Sequence, residues 1–230
     1  MEAIVLAGGF GTRLQSVVSD VPKPMAEIQG KPFLEHILLY LQKNGITRVI
    51  LSVGYKHEVI KNYFNHSFAG MVLDYVIEDE PLGTGGAILK AWPSLKTEHV
   101  FVINGDTFFN VELKSLLTSH TKHHSDLTLS LKSMQEFDRY GSVAIDADGK
   151  VTDFKEKEFV AAGNINGGIY LLNKNIFAAF KLPKQFSFEE FMQDNISDLN
   201  IYACIFDNYF IDIGIPEDYQ RAQTELVQHL

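Results

Sequence analysis

The chain has a single cysteine, Cys204, in 230 residues. One thiol cannot form an intrachain disulfide, and such usage gives no sign of an oxidising compartment. Cys204 lies between Ala203 and Ile205 in an apolar run, where a buried, inert thiol is expected. Long hydrophobic runs are also missing, and no stretch approaches the ~20 apolar residues of a membrane span. No basic segment precedes the first apolar run, so the N-terminus does not read as a signal peptide. Surplus positive charge is absent as well. Twenty Lys and Arg face 29 Asp and Glu, a net charge of −9. That argues against nucleic acid, whose phosphates are bound by excess Lys and Arg. The expectation is a cytoplasmic protein with neither nucleic acid nor membrane as a partner. Any polyanion would need a local cluster of positive charge, backbone dipoles and a divalent cation.

Hydrophobic residues make up 46% of the chain and aromatics 12%, which is globular rather than disordered. The length suits one large α/β domain. The first apolar run, Ala3-Ile4-Val5-Leu6-Ala7, looks like a strand buried on both faces. A helix should follow from Pro32, with Phe33, Ile37 and Leu41 on one face and Asn44-Gly45 as its stop. Residues 49–53 form a second buried strand. Val59, Ile60, Tyr63 and Phe64 mark a short helix, and residues 72–77 a third strand. The turn at 83–86 opens a helix that Trp92-Pro93 closes, and residues 100–103 form a fourth strand. Alternating strands and helices predict an α/β, doubly wound, mostly parallel sheet, in which ligands bind outside the carboxyl ends of the strands. The later half reads differently. Strands are expected over 127–131, 142–145 and 201–206, a hairpin turn at 146–149, and helices over 188–196 and from Pro216, the last turning Tyr219, Ala222 and Leu226 inward.

The special residues gather at the expected strand ends. The first strand empties into Gly8-Gly9-Phe10-Gly11-Thr12-Arg13-Leu14, and Val21-Pro22-Lys23-Pro24-Met25 comes soon after. Glycines let backbone N–H groups approach a ligand, and Arg13 and Lys23 add positive charge, so this is a polyphosphate site. The G-x-G-x-x-G/A fingerprint fails because its third position falls on Leu14, and no P-loop Lys-Ser/Thr pair follows. An ordinary turn after a core strand would explain two glycines but not the full pattern. Asp106 and Asp212 lie close to glycines at the ends of apolar strands, a pair suited to Mg²⁺. Either alone could be a turn residue. His120, His123 and His124, in a polar stretch without ligand-spaced carboxylates, read as surface.

The glycine turn with its Pro-Lys-Pro-Met echo resembles the signature of the sugar-1-phosphate nucleotidylyltransferases, and the likeness extends from Glu2 to about Gln223. It implies a Rossmann-like nucleotidyltransferase fold with a small β-rich sugar-binding part. The whole chain, 1–230, would be one domain, with a nucleotide-binding half over about 1–125 and a sugar-phosphate-binding half over about 126–230. The β-helical or acyltransferase extension of some relatives is missing, and the loop over 15–20 is shorter and lacks the usual proline. The resemblance implies Leu6, Gly8, Gly9, Gly11, Thr12, Arg13, Lys23, Glu80, Gly83 and Thr84 for the nucleotide. It implies Asn104, Gly141, Glu156, Lys157 and Asn166 for the sugar phosphate, with Glu156 on hydroxyls and Lys157 on the acceptor phosphate. Arg13, Lys23 and Asp106 would be catalytic, and Asp106 and Asp212 would hold Mg²⁺.

Among the branches of that family, Leu51-Ser52-Val53-Gly54-Tyr55-Lys56-His57-Glu58, the Pro81–Ala87 stretch and Asn104-Gly105-Asp106-Thr107-Phe108-Phe109 look like the D-glycero-D-manno-heptose 1-phosphate guanylyltransferases of surface-polysaccharide heptose synthesis. The implied substrates are GTP and a heptose 1-phosphate. A guanine pocket needs acceptors for N1–H and the 2-amino group, which backbone carbonyls of 80–86 or Glu80 can offer, with the glycines at 83–86 letting a purine lie close to the chain. A mannose 1-phosphate guanylyltransferase, and a glucose 1-phosphate uridylyl- or thymidylyltransferase, are the alternatives within the class. A non-catalytic nucleotide-sugar sensor is disfavoured because Arg13, Lys23, Asp106 and Asp212 are all intact. A homodimer is left open.

Overall fold

The computed structural model describes residues 1–9, 14, 18 and 21–229. Strand β1 (Glu2–Ala7) carries the first apolar run, and Ala3, Ile4, Val5 and Ala7 are all buried. A 3-10 turn, Lys23–Met25, and a small hairpin of β2 (Glu27–Ile28) and β3 (Lys31–Pro32) lead into helix α1 (Phe33–Lys43). Pro32 caps this helix rather than standing in its first turn, where its missing N–H again costs nothing. Then follow β4 (Arg48–Val53), α2 (His57–Phe64), β5 (Ser67–Phe68), β6 (Met71–Ile77), α3 (Gly83–Ala91) and β7 (His99–Asn104). The short β8 (Thr107–Phe109) precedes α4 (Leu113–His123). The later half holds β9 (Leu127–Phe137), β10 (Gly141–Ile145), β11 (Val151–Lys157) and β12 (Val160–Asn173). It ends in α5 (Phe188–Asp194), β13 (Ile201–Phe206), β14 (Phe210–Asp212) and α6 (Pro216–Glu225).

One sheet runs β11-β10-β12-β7-β1-β4-β6-β5, with β9 attached at β12 and β13 beyond it on β9. Its centre, β7-β1-β4-β6, is parallel, and its flanks are antiparallel except for the parallel pair β13-β9. Alternation along each strand feeds two cores. Ala3, Val5 and Ala7 of β1 pack with α1, α2, α4 and α6, while Ile4 faces the core of α3 and α5. Helices therefore cover both faces, which is the doubly wound arrangement. From β1 the chain winds outward through β4 and β6, then returns to place β7 on the other side. That reversal opens a crevice at the carboxyl ends of β1 and β7. No helix among the described residues is long and apolar enough to cross a membrane.

Several boundaries move for physical reasons. Strand β9 continues six residues past Leu131 because β12 is long enough to pair with it out to Val160↔Phe137. Helix α5 stops at Asp194, two residues short of Ile196. Cys204 is half-buried, and burial raises its thiol pKa. The three histidines are not all surface residues. They lie in and just beyond the last turn of α4, and His120 is 1% exposed, one and two turns from buried Leu116 and Leu113 on the same face. Its Nδ1 is 2.9 Å from Thr128 Oγ1, and its ring lies 5.0 Å from that of His99. His123 stacks on Tyr202, and only His124 is exposed.

Burial, and then the neighbouring His99, lower the His120 pKa from 6.5 to about 4. The unfolded chain therefore takes up this proton first. The contribution is complete above pH 6.5 and is lost as pH falls towards about 4, by up to about 3 kcal/mol. Urea midpoints should fall across that window, and His120→Gln should flatten the fall. Parallel curves for the two proteins would remove His120 as the cause.

Candidate active site

Two clefts open at the carboxyl ends of the central strands, of about 500 and 580 Å³, and both are lined by Asn104 and Asp106. Glycines make their floor. Gly105 N–H donates to Leu6 O at 2.9 Å, and a Cβ on Gly105 would lie 2.5 Å from that oxygen. The chain leaving β7 can thus cross the end of β1 only without a side chain there.

At the junction sit Asp106, Asp212 and Lys23. Strands β8 and β14 pair with Asp212 opposite Thr107, and Ile213 N–H donates to Asp106 O at 3.0 Å. This ladder brings together two aspartates that are 106 positions apart. Lys23 arrives from the 3-10 turn, whose Pro24 and Met25 are buried anchors. Its ammonium lies 2.7 Å from Asp106 Oδ2 and 3.8 Å from Asp212 Oδ1. Asp212 also accepts the Gly214 N–H at 2.7 Å. Burial and the facing Asp106 raise its carboxyl pKa, against Lys23 and that N–H. A site that already seats a cation between two carboxylates fits Mg²⁺, which takes one or two protein carboxylates and completes its shell with water and substrate oxygens. A third ligand group is not needed, and among the described residues no cluster of three or more His, Cys, Asp or Glu is placed to hold a metal.

The first cleft collects Leu6, Gly8, Gly9, Lys23, Glu80, Gly83 and Thr84, all expected around the nucleotide. Gly11, Thr12 and Arg13 lie outside the described residues. Glu80 stands at the rim and forms an ion pair with Lys184. A deeper carboxylate, Glu78, was not singled out from the sequence. It accepts from Ser52 Oγ at 3.0 Å and would collide with any Cβ on Gly8. Burial raises its pKa, opposed by Ser52 and the Leu82 N–H. Only its place at the end of an apolar strand could have flagged it.

The glycines at 83–86 answer to a different neighbour than a purine. Gly85 N–H donates to Phe186 O at 3.0 Å, and Phe186 N–H to Leu82 O at 3.0 Å. A Cβ on Gly83 or Gly85 would strike Phe186, and one on Gly86 would strike Lys184 O. The segment over 184–186 clasps this first turn of α3.

The second cleft brings together Asn104, Gly141, Glu156, Lys157 and Asn166, the residues expected around a sugar phosphate. Glu156 and Lys157 are exposed on its β11 wall, while Asn166 donates to Tyr170 Oη at 2.7 Å. Gly141 lets the Lys155 carbonyl approach, since a Cβ would lie 2.5 Å from it. Sequence reasoning missed Arg139 and Glu189, which also line this cleft. Arg139 is held by Asp218 at 2.5 Å, a contact between residues far apart in the chain.

Two clefts meeting at a cation held between carboxylates define a site that can bring two phosphorylated ligands together. Residues 2–229 match the family described as Nucleotidyl transferase. The chain is 53% identical, over the full length of both proteins, to a D-glycero-alpha-D-manno-heptose 1-phosphate guanylyltransferase of Aneurinibacillus thermoaerophilus. It is 55% identical to the protein of the same description from Campylobacter jejuni, covering 95% of this chain and 97% of that one. The crystal structure of HddC from Yersinia pseudotuberculosis complexed with GMP-PN superposes with a TM-score of 0.85 at 40% identity, covering 98% and 99% of the two chains. The chain belongs to the nucleotidyl transferase family.

The clasp generates a direct test. Gly86→Ala puts a methyl group against the backbone oxygen of Lys184, and overpacking of this kind costs about 1–3 kcal/mol. Thermal unfolding should show that loss, together with weaker nucleotide binding. A variant as stable as the parent would mean that the clasp is not held closely.

Proposed function

We propose that the chain is a Mg²⁺-dependent guanylyltransferase that transfers GMP from GTP to D-glycero-α-D-manno-heptose 1-phosphate and releases pyrophosphate. The product would serve as a donor for surface-polysaccharide assembly. The observation that carries this reading is the junction of the two clefts on Asp106, with Lys23 seated between two carboxylates. The identity to heptose 1-phosphate guanylyltransferases supports the choice of substrates.

The chemistry needs alignment and charge neutralisation more than proton transfer. An oxygen of the sugar phosphate forms a bond to the α-phosphorus of GTP. The bond from that phosphorus to the bridging oxygen breaks, and its electron pair leaves with pyrophosphate. The attacker is already anionic, so no base is required. Lys23 is placed to meet the charge that grows on the α-phosphate, and Arg13 joins it by resemblance. Lys157 holds the acceptor phosphate, while Glu156 and Asn166 orient the sugar. Asp106 and Asp212 would hold the Mg²⁺, which when bound would neutralise negative charge on the substrate phosphates.

For the base, Glu78 is the acceptor to which we assign guanine. Its carboxylate faces the first cleft in a partly desolvated setting. N1–H and the 2-amino group of guanine present two adjacent donors that match it, and adenine lacks that pair. Unpaired buried polar groups are costly, so a site of this kind discriminates by orders of magnitude.

The test is kcat/KM for GTP, UTP, dTTP and CTP against heptose, mannose and glucose 1-phosphates, read as pyrophosphate release. GTP with the heptose phosphate should be best, and Glu78→Gln should erode the preference for GTP. A preference for UTP or dTTP with glucose 1-phosphate would overturn the substrate assignment. A preference for mannose 1-phosphate would overturn the acceptor alone.

A further inference from the structure

Between the two clefts runs a chain of polar contacts with every donor direction fixed. The Thr84 hydroxyl, in the wall of the first cleft, accepts the Phe188 N–H at 2.8 Å and donates to Glu189 Oε2 at 2.9 Å. Ser187 Oγ donates to the same oxygen at 3.0 Å and caps α5 by accepting the Glu190 N–H. On the other side, Asn166 Nδ2 donates to Tyr170 Oη at 2.7 Å, which leaves the phenol proton for Glu189 Oε1 at 3.5 Å. Asn166 Oδ1 is occupied by the Gly168 N–H at 3.0 Å. Burial and the adjacent Glu189 push the Tyr170 phenol well above its ordinary pKa, so it stays a donor. Three donors therefore converge on one carboxylate, which when ionised can only accept.

The ends of this chain lie in different sites. Thr84 lies in the first turn of α3, clasped by residues 184–186 beside the first cleft, and Asn166 lines the second cleft. Helix α5, which begins one residue before Glu189, packs against α3, which begins one residue before Thr84. A ligand that steadies the first turn of α3 at Thr84 also steadies Glu189, and through Tyr170 it steadies Asn166. Ordering completed by the first ligand is not required again of the second, which gives positive coupling without a change of shape.

We propose that Glu189 is a positioning residue that couples the two clefts, so that a bound nucleotide tightens binding of the sugar phosphate through Thr84, Glu189, Tyr170 and Asn166. This rests on the assignment of the nucleotide and the sugar phosphate to the two clefts. By linkage the effect is reciprocal, and the sugar phosphate tightens the nucleotide by the same factor.

The experiment is calorimetric titration of the full chain in Mg²⁺ with D-glycero-α-D-manno-heptose 1-phosphate, with and without the α,β-methylene analogue of GTP, which cannot react. In the parent protein the analogue should tighten the sugar phosphate about fivefold or more. Glu189→Gln places an amide donor against one of the converging donors, and Thr84→Val removes the hydroxyl. Each should bring the factor below about twofold, whatever it does to the affinity for either ligand alone. Thr84→Ser, which keeps the hydroxyl, should restore it, and the Thr84 pair decides the matter if Glu189→Gln does not fold. A factor near one in the parent, or one that survives both Glu189→Gln and Thr84→Val, overturns the coupling. So does loss of single-ligand affinity with the factor intact, which would make Glu189 a direct ligand. If the parent binds neither probe, the proposed function falls and the coupling with it.

Discussion

Everything at this site depends on keeping two carboxylates together. Two like charges about 4 Å apart repel by roughly 4 kcal/mol at an effective dielectric of 20, so such a pair persists only around a cation. Lys23 supplies that cation in the structure, and the β8–β14 ladder supplies the geometry. The sheet topology follows the same requirement. Strands β1 and β7 lie side by side with their carboxyl ends together, which delivers Gly8, Gly9 and Asp106 to one crevice. Asp212 returns to the crevice only after the later half has built the opposite wall.

The overall charge fits this account. A chain of net charge −9 does not attract polyphosphates broadly, so attraction must be confined to the crevice. Lys23 lies at the junction, and Lys157 on the wall of the second cleft. Of the acidic residues nearby, Asp106 and Asp212 share Lys23, Asp218 is tied to Arg139 and Arg221, and Glu80 is paired with Lys184.

Much of this was legible in the sequence because it rests on local pattern. Continuous apolar runs mark β1, β4 and β7, and the special residues at their ends mark the crevice. Asp106 and Asp212 stood out as carboxylates at strand ends. What was not legible depends on contacts between distant segments. The glycines at 83–86 suggested a close-lying purine, but Phe186 and Lys184 occupy the space their missing side chains leave. Glu189 looks like any acidic residue in a first helical turn until Thr84 and Tyr170 converge on it. His120 was readable and was misread. It continues the face of Leu113 and Leu116, but a polar stretch with three histidines resembled surface. The extra length of β9 is set by its partner β12 rather than by its own alternation.

The central claim is that Asp106 and Asp212 act jointly on one divalent cation at the meeting point of two substrates. The most direct measurement is turnover of Asp106→Asn and Asp212→Asn beside the parent across a Mg²⁺ titration, with the fold of each checked by circular dichroism. The account predicts a loss of at least about a hundredfold in kcat for each folded variant, and no activity in the parent when EDTA removes the metal. Parental turnover in either variant, or full activity in EDTA, would contradict it.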